Sequence, residues 1–178
     1  MIRLATRADL PEIQRLMHAS IASLSRGFYD EPQTASAVRY IGVPDGQLID
    51  DGTYMVIEEE GRLVACGGWS ARAKLFTGPA DQDAAEGWSD VARIRAMFVD
   101  PACARRGLGR RILEASEQAA QQAGFTTFEL MATLPGVPLY EACGYRAVEE
   151  ATIELPDGTA LPCVLMRKSA LAILDGRS

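Results

Sequence analysis

The sequence predicts a single α/β domain in which helices flank one mixed sheet. Three observations carry that expectation. A strand, a glycine turn, a helix and a second strand follow one another between Val91 and Met131, the length of a parallel crossover unit. Hairpin signals stand on either side of it, at Glu60-Gly61 and at Pro156-Asp-Gly158. The 178 residues, 48% hydrophobic and 24% charged, match one well-cored globular domain without repeats or low-complexity tracts. The domain is expected to occupy 1–178, with a core from about 2 to 167 and a short C-terminal tail at 168–178.

Taken in order, Ile2 to Thr6 alternates as a strand does, and Asp9 with Glu12 has the form of a capping box with Pro11 in the first turn. Ile13, Leu16, Met17, Ser20 and Leu24 then recur at helical spacing and predict one buried stripe. Arg26 to Pro32 breaks that helix, Thr34 to Ile41 predicts a short second one, and Pro44-Asp-Gly46 and Asp50-Asp-Gly52 read as turns. Thr53–Glu58 and Arg62–Ser70 are the strands of the first hairpin. Inside the second, Gly67-Gly68 marks a bulge or a close backbone approach, and Trp69 either packs in the core or walls a ligand cavity.

The connection from Arg72 to Asp90 is long and acidic, either a lid or a solvated insertion. Val91–Val99 is the next strand, and strict alternation places Arg93, Arg95, Met97 and Val99 on one face and Ala92, Ile94, Ala96 and Phe98 on the other. Arg93 and Arg95 either meet a substrate carboxylate or pair with the acidic connection. Leu108, Ile112, Ala115, Ala119 and Ala123 define a helix face that stops at Gly124. Phe125–Met131 is a strand, Pro138–Ala142 a short helix closed by Gly144, and Tyr145–Leu155 with Thr159–Arg167 the last hairpin.

Charge and composition exclude several functions. A net charge of −6 argues against a general nucleic-acid binder, which needs a net basic surface to displace counterions. No apolar run has the length of a membrane span, and the first residues lack the apolar core of a signal peptide, so a cytoplasmic protein is expected. The four cysteines, Cys66, Cys103, Cys143 and Cys163, form no C-x-x-C pair, and with His18 as the single histidine no metal site is expected.

Against that acidic background, four arginines fall within Arg105–Arg111, at the start of a helix, where positive side chains oppose the helix dipole. An anion on the free N–H groups of that first turn reconciles the two. Glycine at Gly107 and Gly109 lets the backbone approach phosphate oxygens, so N–H groups from about Arg105 to Arg110 can cradle them while the arginines add charge.

Arg106-Gly-Leu-Gly109 follows a strand that ends in Val99-Asp-Pro, and Leu139-Tyr-Glu-Ala-Cys-Gly-Tyr145 comes later. In order, spacing and flanking strands, these segments resemble the GNAT superfamily of N-acetyltransferases, over Ile2 to Arg167. The resemblance implies a mixed, mostly antiparallel twisted sheet with helices on both sides. It implies acetyl-CoA as co-substrate, no metal, and acetyl transfer to a primary amine of a small molecule or peptide by direct attack in a ternary complex. By resemblance the pyrophosphate lies on Arg105, Arg106, Gly107, Leu108, Gly109 and Arg110. The pantetheine arm runs along Met97, Phe98 and Val99, as a strand added at an edge, and an N–H near Met97 polarises the thioester carbonyl. Tyr140 is the expected acid toward the leaving thiolate, since a phenol stays neutral near pH 7 yet can donate a proton.

Three positions depart from the family pattern. Ala104 stands where a glutamine or arginine is usual, the strand before it carries arginines where many relatives place a glutamate base, and Leu134-Pro-Gly136 lies where others often carry an asparagine. The base is therefore unassigned among Glu129, Glu58 through a water, and His18. Phe28, Tyr29, Trp69, Arg93 and Arg95 are the candidate acceptor contacts. A non-catalytic acyl-CoA sensor fits the missing glutamate, a transferase of another acyl-CoA donor fits the two arginines, and a homodimer is left open.

Overall fold

The computed structural model describes residues 1–73 and 88–170. Along them run β1 (Ile2–Leu4), α1 (Leu10–Leu24), α2 (Glu31–Tyr40), α3 (Gly46–Asp50), β2 (Tyr54–Glu59), β3 (Arg62–Arg72), β4 (Trp88–Val99), α4 (Leu108–Gln122), β5 (Thr127–Thr133), α5 (Val137–Ala142), β6 (Arg146–Glu154) and β7 (Ala160–Ser169). The strands form a seven-stranded sheet in the order β1-β2-β3-β4-β5-β7-β6. Every pairing is antiparallel except β4 with β5, which the α4 crossover makes parallel. The mixed, mostly antiparallel sheet with flanking helices is the fold the sequence predicts.

Alternation along β2 assigns the two layers. Val56 packs with Ile13, Leu16 and Met17 of α1, whereas Met55 and Ile57 pack with Leu108 and Ile112 of α4, so α1 and α4 cover opposite faces. Farther along the α4 face, Phe128 and Leu130 of β5 meet Leu113 and Ala120. A separate cluster of Ile21, Tyr29, Ala37, Leu155 and Leu161 fastens α1 and α2 to the β6–β7 hairpin.

Four local expectations change. The capping box sits one turn early: Thr6 N donates to the Asp9 carboxylate at 2.7 Å, while the Glu12 carboxylate accepts from Leu63 N at 2.9 Å and ties α1 to β3. The second helix starts at Glu31 because Asp30 caps it, accepting from Gln33 N at 2.8 Å. Pro44-Asp-Gly46 leads into α3, with Asp45 as its N-cap. On α4 the buried stripe is Leu108, Ile112, Leu113, Ser116, Glu117 and Ala120, and Ala123 is exposed. The stripe turns because Glu117 is drawn inward, accepting from Tyr145 Oη at 2.9 Å and Lys168 Nζ at 2.7 Å.

The geometry that matters for function lies between β4 and β5. They pair through Ala92↔Phe128 and Arg93↔Glu129 and through no later residues among those described. From Ile94 on one side and Leu130 on the other, the sheet opens as a wedge.

Candidate active site

The wall of the wedge formed by β4 is shaped by a bulge. Cys66 pairs with Phe98 but Gly68 pairs with Arg95, so β4 carries one residue more than β3 across this step. Ala96 takes φ 51° there, and its carbonyl accepts from Tyr54 Oη at 2.7 Å, which fixes the distortion. The bulge resets the alternation. Ala92, Ile94, Met97 and Val99 pack in the clusters that contain α4 residues, while Ala96 and Phe98 join the α1 cluster, so Met97 and Val99 do not share a face with Arg93 and Arg95. Gly67 and Gly68 are the close approach expected of them. A Cβ on Gly67 would run into the Met97 sulfur and Ile112, and one on Gly68 would lie 2.9 Å from Tyr54 Cα.

Behind this wall is a cavity of about 880 Å³ that runs from the start of α4, between β4 and β5, to α1 and the chain before α2. Ile94 to Val99 line one side, and Leu130, Met131, Thr133 and the Pro135–Tyr140 turn line the other. At its α4 end, Arg105 (φ 62°) and Gly107 (φ 79°) turn the chain into the helix, whose first helical bond runs from Arg111 N to Gly107 O at 3.0 Å. The N–H groups of Gly107, Leu108, Gly109 and Arg110 therefore have no helical acceptor and supply positive potential at the cavity mouth. Gly109 also admits α5, since a Cβ there would stand 3.0 Å from Leu139 Cδ2.

The arginines divide. Arg105 and Arg110 line the cavity, and Arg110 also donates to Ala142 O at 3.2 Å. Arg106 pairs instead with Glu59 at 3.1 Å, which raises its pKa, and it does not reach the cavity lining. Ala104 lines the mouth with a methyl group.

Tyr140 stands on the far wall, 8% exposed, with its ring edge-on to Tyr145 at 5.8 Å. It stands so close to the Pro135-Gly136 turn that a Cβ on Gly136 would come within 2.9 Å of the ring. Burial, followed by the nearby Cys143 thiol, holds the phenol protonated above the ordinary tyrosine range. Its hydroxyl has no hydrogen-bond partner among the described residues.

Of the expected acceptor contacts, Phe28, Tyr29 and Arg95 line the cavity and Trp69 and Arg93 do not. Trp69 packs edge-on against Phe125 at 5.5 Å in the core. Arg93 is bound to the buried Glu129, which also holds Arg167. Tyr29 works through both ends, its ring against the cavity and its hydroxyl donating to Pro162 O at 2.6 Å and accepting from Leu134 N at 2.9 Å. Part of the acidic connection between β3 and β4, 74–87, lies outside the described residues.

The three candidate bases are engaged elsewhere. Glu129 is held by two arginines, Glu58 accepts from Arg3 at 3.0 Å, and His18 Nε2 bonds Gly42 O at 2.9 Å. Among the described lining residues Asp45 is the one carboxylate. Sequence reasoning passed over it as a turn residue; an aspartate just before a short apolar Leu-Ile pair was the available sign of an N-cap.

A sequence model of the Acetyltransferase (GNAT) family matches residues 15–145, and the chain belongs to that family. The structure of a GCN5-related N-acetyltransferase from Rhodopseudomonas palustris is similar over 95% of this chain and 94% of that one, with a TM-score of 0.71 at 19% identity. PaiA N-acetyltransferase from Thermoplasma acidophilum, solved in complex with coenzyme A, covers 95% and 98% with a TM-score of 0.67 at 13% identity. YncA from Salmonella typhimurium, a putative acetyltransferase solved with its cofactor acetyl-CoA, covers 96% and 93% with a TM-score of 0.63 at 16% identity. No curated protein matches the sequence. Among the described residues, no cluster of His, Cys, Asp or Glu could hold a metal ion, and no helix is long and apolar enough to cross a membrane.

Proposed function

We propose that the protein transfers the acetyl group of acetyl-CoA to the primary amine of a small molecule or peptide by direct attack in a ternary complex. The observation that carries this reading is the convergence of three features on one cavity: the open N-terminus of α4, the unpaired edge of β4 and the Tyr140 phenol. The cavity suits the donor at each point. Free N–H groups with Arg105 and Arg110 match the pyrophosphate. The β4 edge from Ile94 to Val99 offers backbone groups to an amide-bearing arm. The thioester supplies the activated acetyl group; the protein's part is to hold it and to manage protons.

In the proposed step the amine nitrogen bonds to the acetyl carbon as the carbon–sulfur bond breaks, the nitrogen gives up a proton, and the departing thiolate receives one. Tyr140 is the proposed donor to sulfur, and its raised pKa keeps that proton in place at neutral pH. Met97 lines the cleft beside the bulge, and a backbone N–H there is the proposed group that polarises the thioester carbonyl. Product detection by mass spectrometry over a panel of amines, with an acceptor-free control, tests the reading. Transfer dependent on an added amine supports it, and acetyl-CoA binding without transfer to any amine overturns it.

That second outcome would favour a non-catalytic acyl-CoA sensor, a reading with one observation behind it: none of Glu129, Glu58 or His18 lines the cavity.

A further inference from the structure

The acceptor end of the cavity differs sharply in chemistry from the donor end. Its walls are largely apolar, formed by Met17, Ile21, Leu24, Phe28, Ile41 and Leu48, with Ser20, Ser25 and Tyr29 among them and Arg95 on the β4 side. Asp45 lines the same cavity, and one oxygen of its carboxylate caps α3 by accepting from Gln47 N at 2.9 Å. The other oxygen has no hydrogen-bond partner among the described residues. Asp45 shares this lining with Ala96, whose carbonyl accepts from Tyr54 Oη in the bulge. Its position is held from two sides: His18 fixes the Gly42 carbonyl before it, and an Arg7–Asp50 ion pair fixes α3 after it.

The roof over this end is also fastened. Ser36 Oγ of α2 donates to the Asp157 carboxylate in the β6–β7 turn at 2.8 Å, Gln33 Nε2 donates to Ala160 O at 3.1 Å, and Tyr29 Oη donates to Pro162 O. These bonds tie α2 and the chain before it to the hairpin, so this side of the acceptor end is a fastened wall.

We propose that the acceptor is a small primary amine on an apolar body, its ammonium group set against Asp45, rather than a polypeptide or a polyamine. The inference rests on the acetyltransferase reading and deepens it. A single ammonium can pair with Asp45, whereas a second positive charge would meet largely apolar walls and Arg95, with no second carboxylate among the described lining residues to pair with it. Asp45 pairs with the ammonium group and so orients the amine toward the acetyl carbon.

The test compares phenethylamine and 3-methylbutylamine with spermidine and a short peptide bearing a free N-terminus, each with acetyl-CoA and the intact protein. The expected kcat/KM for the apolar amines exceeds that for spermidine and peptide by roughly tenfold or more, as one unpaired buried charge implies. Asp45→Asn, which keeps an oxygen to cap Gln47 N–H, should raise KM for phenethylamine by about tenfold and leave the KM for acetyl-CoA unchanged. For aniline, which is uncharged at neutral pH, the same variant should leave KM unchanged, a contrast that a merely structural role for Asp45 would not produce. Preference for spermidine or peptide, or equal effects of Asp45→Asn on phenethylamine and aniline, overturns the inference and leaves acetyl transfer standing. No transfer to any amine by a protein that binds acetyl-CoA overturns both.

Discussion

Tyr140 is the residue at which the proposed catalysis can be told apart from binding. Tyr140→Phe keeps the ring against Tyr145 and removes one hydroxyl, so kcat should fall roughly a hundredfold while the KM for acetyl-CoA stays constant. Full turnover in steady-state kinetics would remove Tyr140 from the mechanism. The protein's own thiols give a second residue-scale expectation. Burial pushes the Cys66 thiol up to about 12 and raises those of Cys163 and Cys143, but Cys103 and Cys143 are partly exposed and so open to a reagent. A disulfide reagent near neutral pH should modify Cys103 and Cys143 in the folded protein and reach Cys66 and Cys163 only after unfolding. Modification of all four at one rate would contradict that burial. At this scale legibility depended on context. The place of Tyr140 in the cleft could be anticipated because its segment carries a motif, but Asp45 had only a turn-like neighbourhood, and its place in the lining depends on strands far from it in sequence.

Among elements, β4 shows where pattern reading stops. The strand was recognisable from its alternation, but the reset at Ala96 depends on a tyrosine from β2 and two glycines from β3, none visible within β4 itself. The same limit explains α4, where Glu117 is buried by partners that follow it by 28 and 51 residues. The start of α4, by contrast, was legible because glycines and arginines at a helix entrance conflict with local rules unless an anion resolves them. Arg105 and Arg106, neighbours in sequence, should therefore behave differently. Arg105→Ala should raise the KM for acetyl-CoA several-fold more than Arg106→Ala, since Arg105 lines the cavity and Arg106 is spent on Glu59. Equal effects in acetyl-CoA titrations would place both on the phosphates. Gly67→Ala should weaken acetyl-CoA binding as well, through displacement of Met97 and Ile112.

Across the whole molecule, buried acids set the response to alkali. Tyr54, Tyr140 and Tyr145 all have raised pKa values, chiefly from burial, and the buried Cys66 and Cys163 thiols shift in the same direction. Such groups keep their protons in the folded state after the unfolded chain has released them, so the unfolded state binds fewer protons and stability falls as pH rises. The contribution is intact below the unfolded values, about 8.5 for the thiols and about 10 for the phenols, and declines above them. Denaturant titrations at increasing pH should show an unchanged midpoint up to the thiol value and a steepening loss past the phenol value. A constant midpoint across that range would mean the phenols are open to solvent.

The hairpins and the crossover were legible in the sequence, because each follows from turn residues and local periodicity, whereas the order of the strands in the sheet was not. The wedge between β4 and β5 was not, since pairing that stops after two residues leaves no mark in either strand. That wedge is where the proposed chemistry takes place. The most direct measurement is mass-spectrometric detection of an acetylated amine when the protein, acetyl-CoA and an apolar primary amine are combined, with acceptor-free and Tyr140→Phe controls. Acetylated amine formed with the native protein, and sharply reduced with Tyr140→Phe, is the expected result. Acetyl-CoA that binds in the cleft and stays intact with every amine would contradict it.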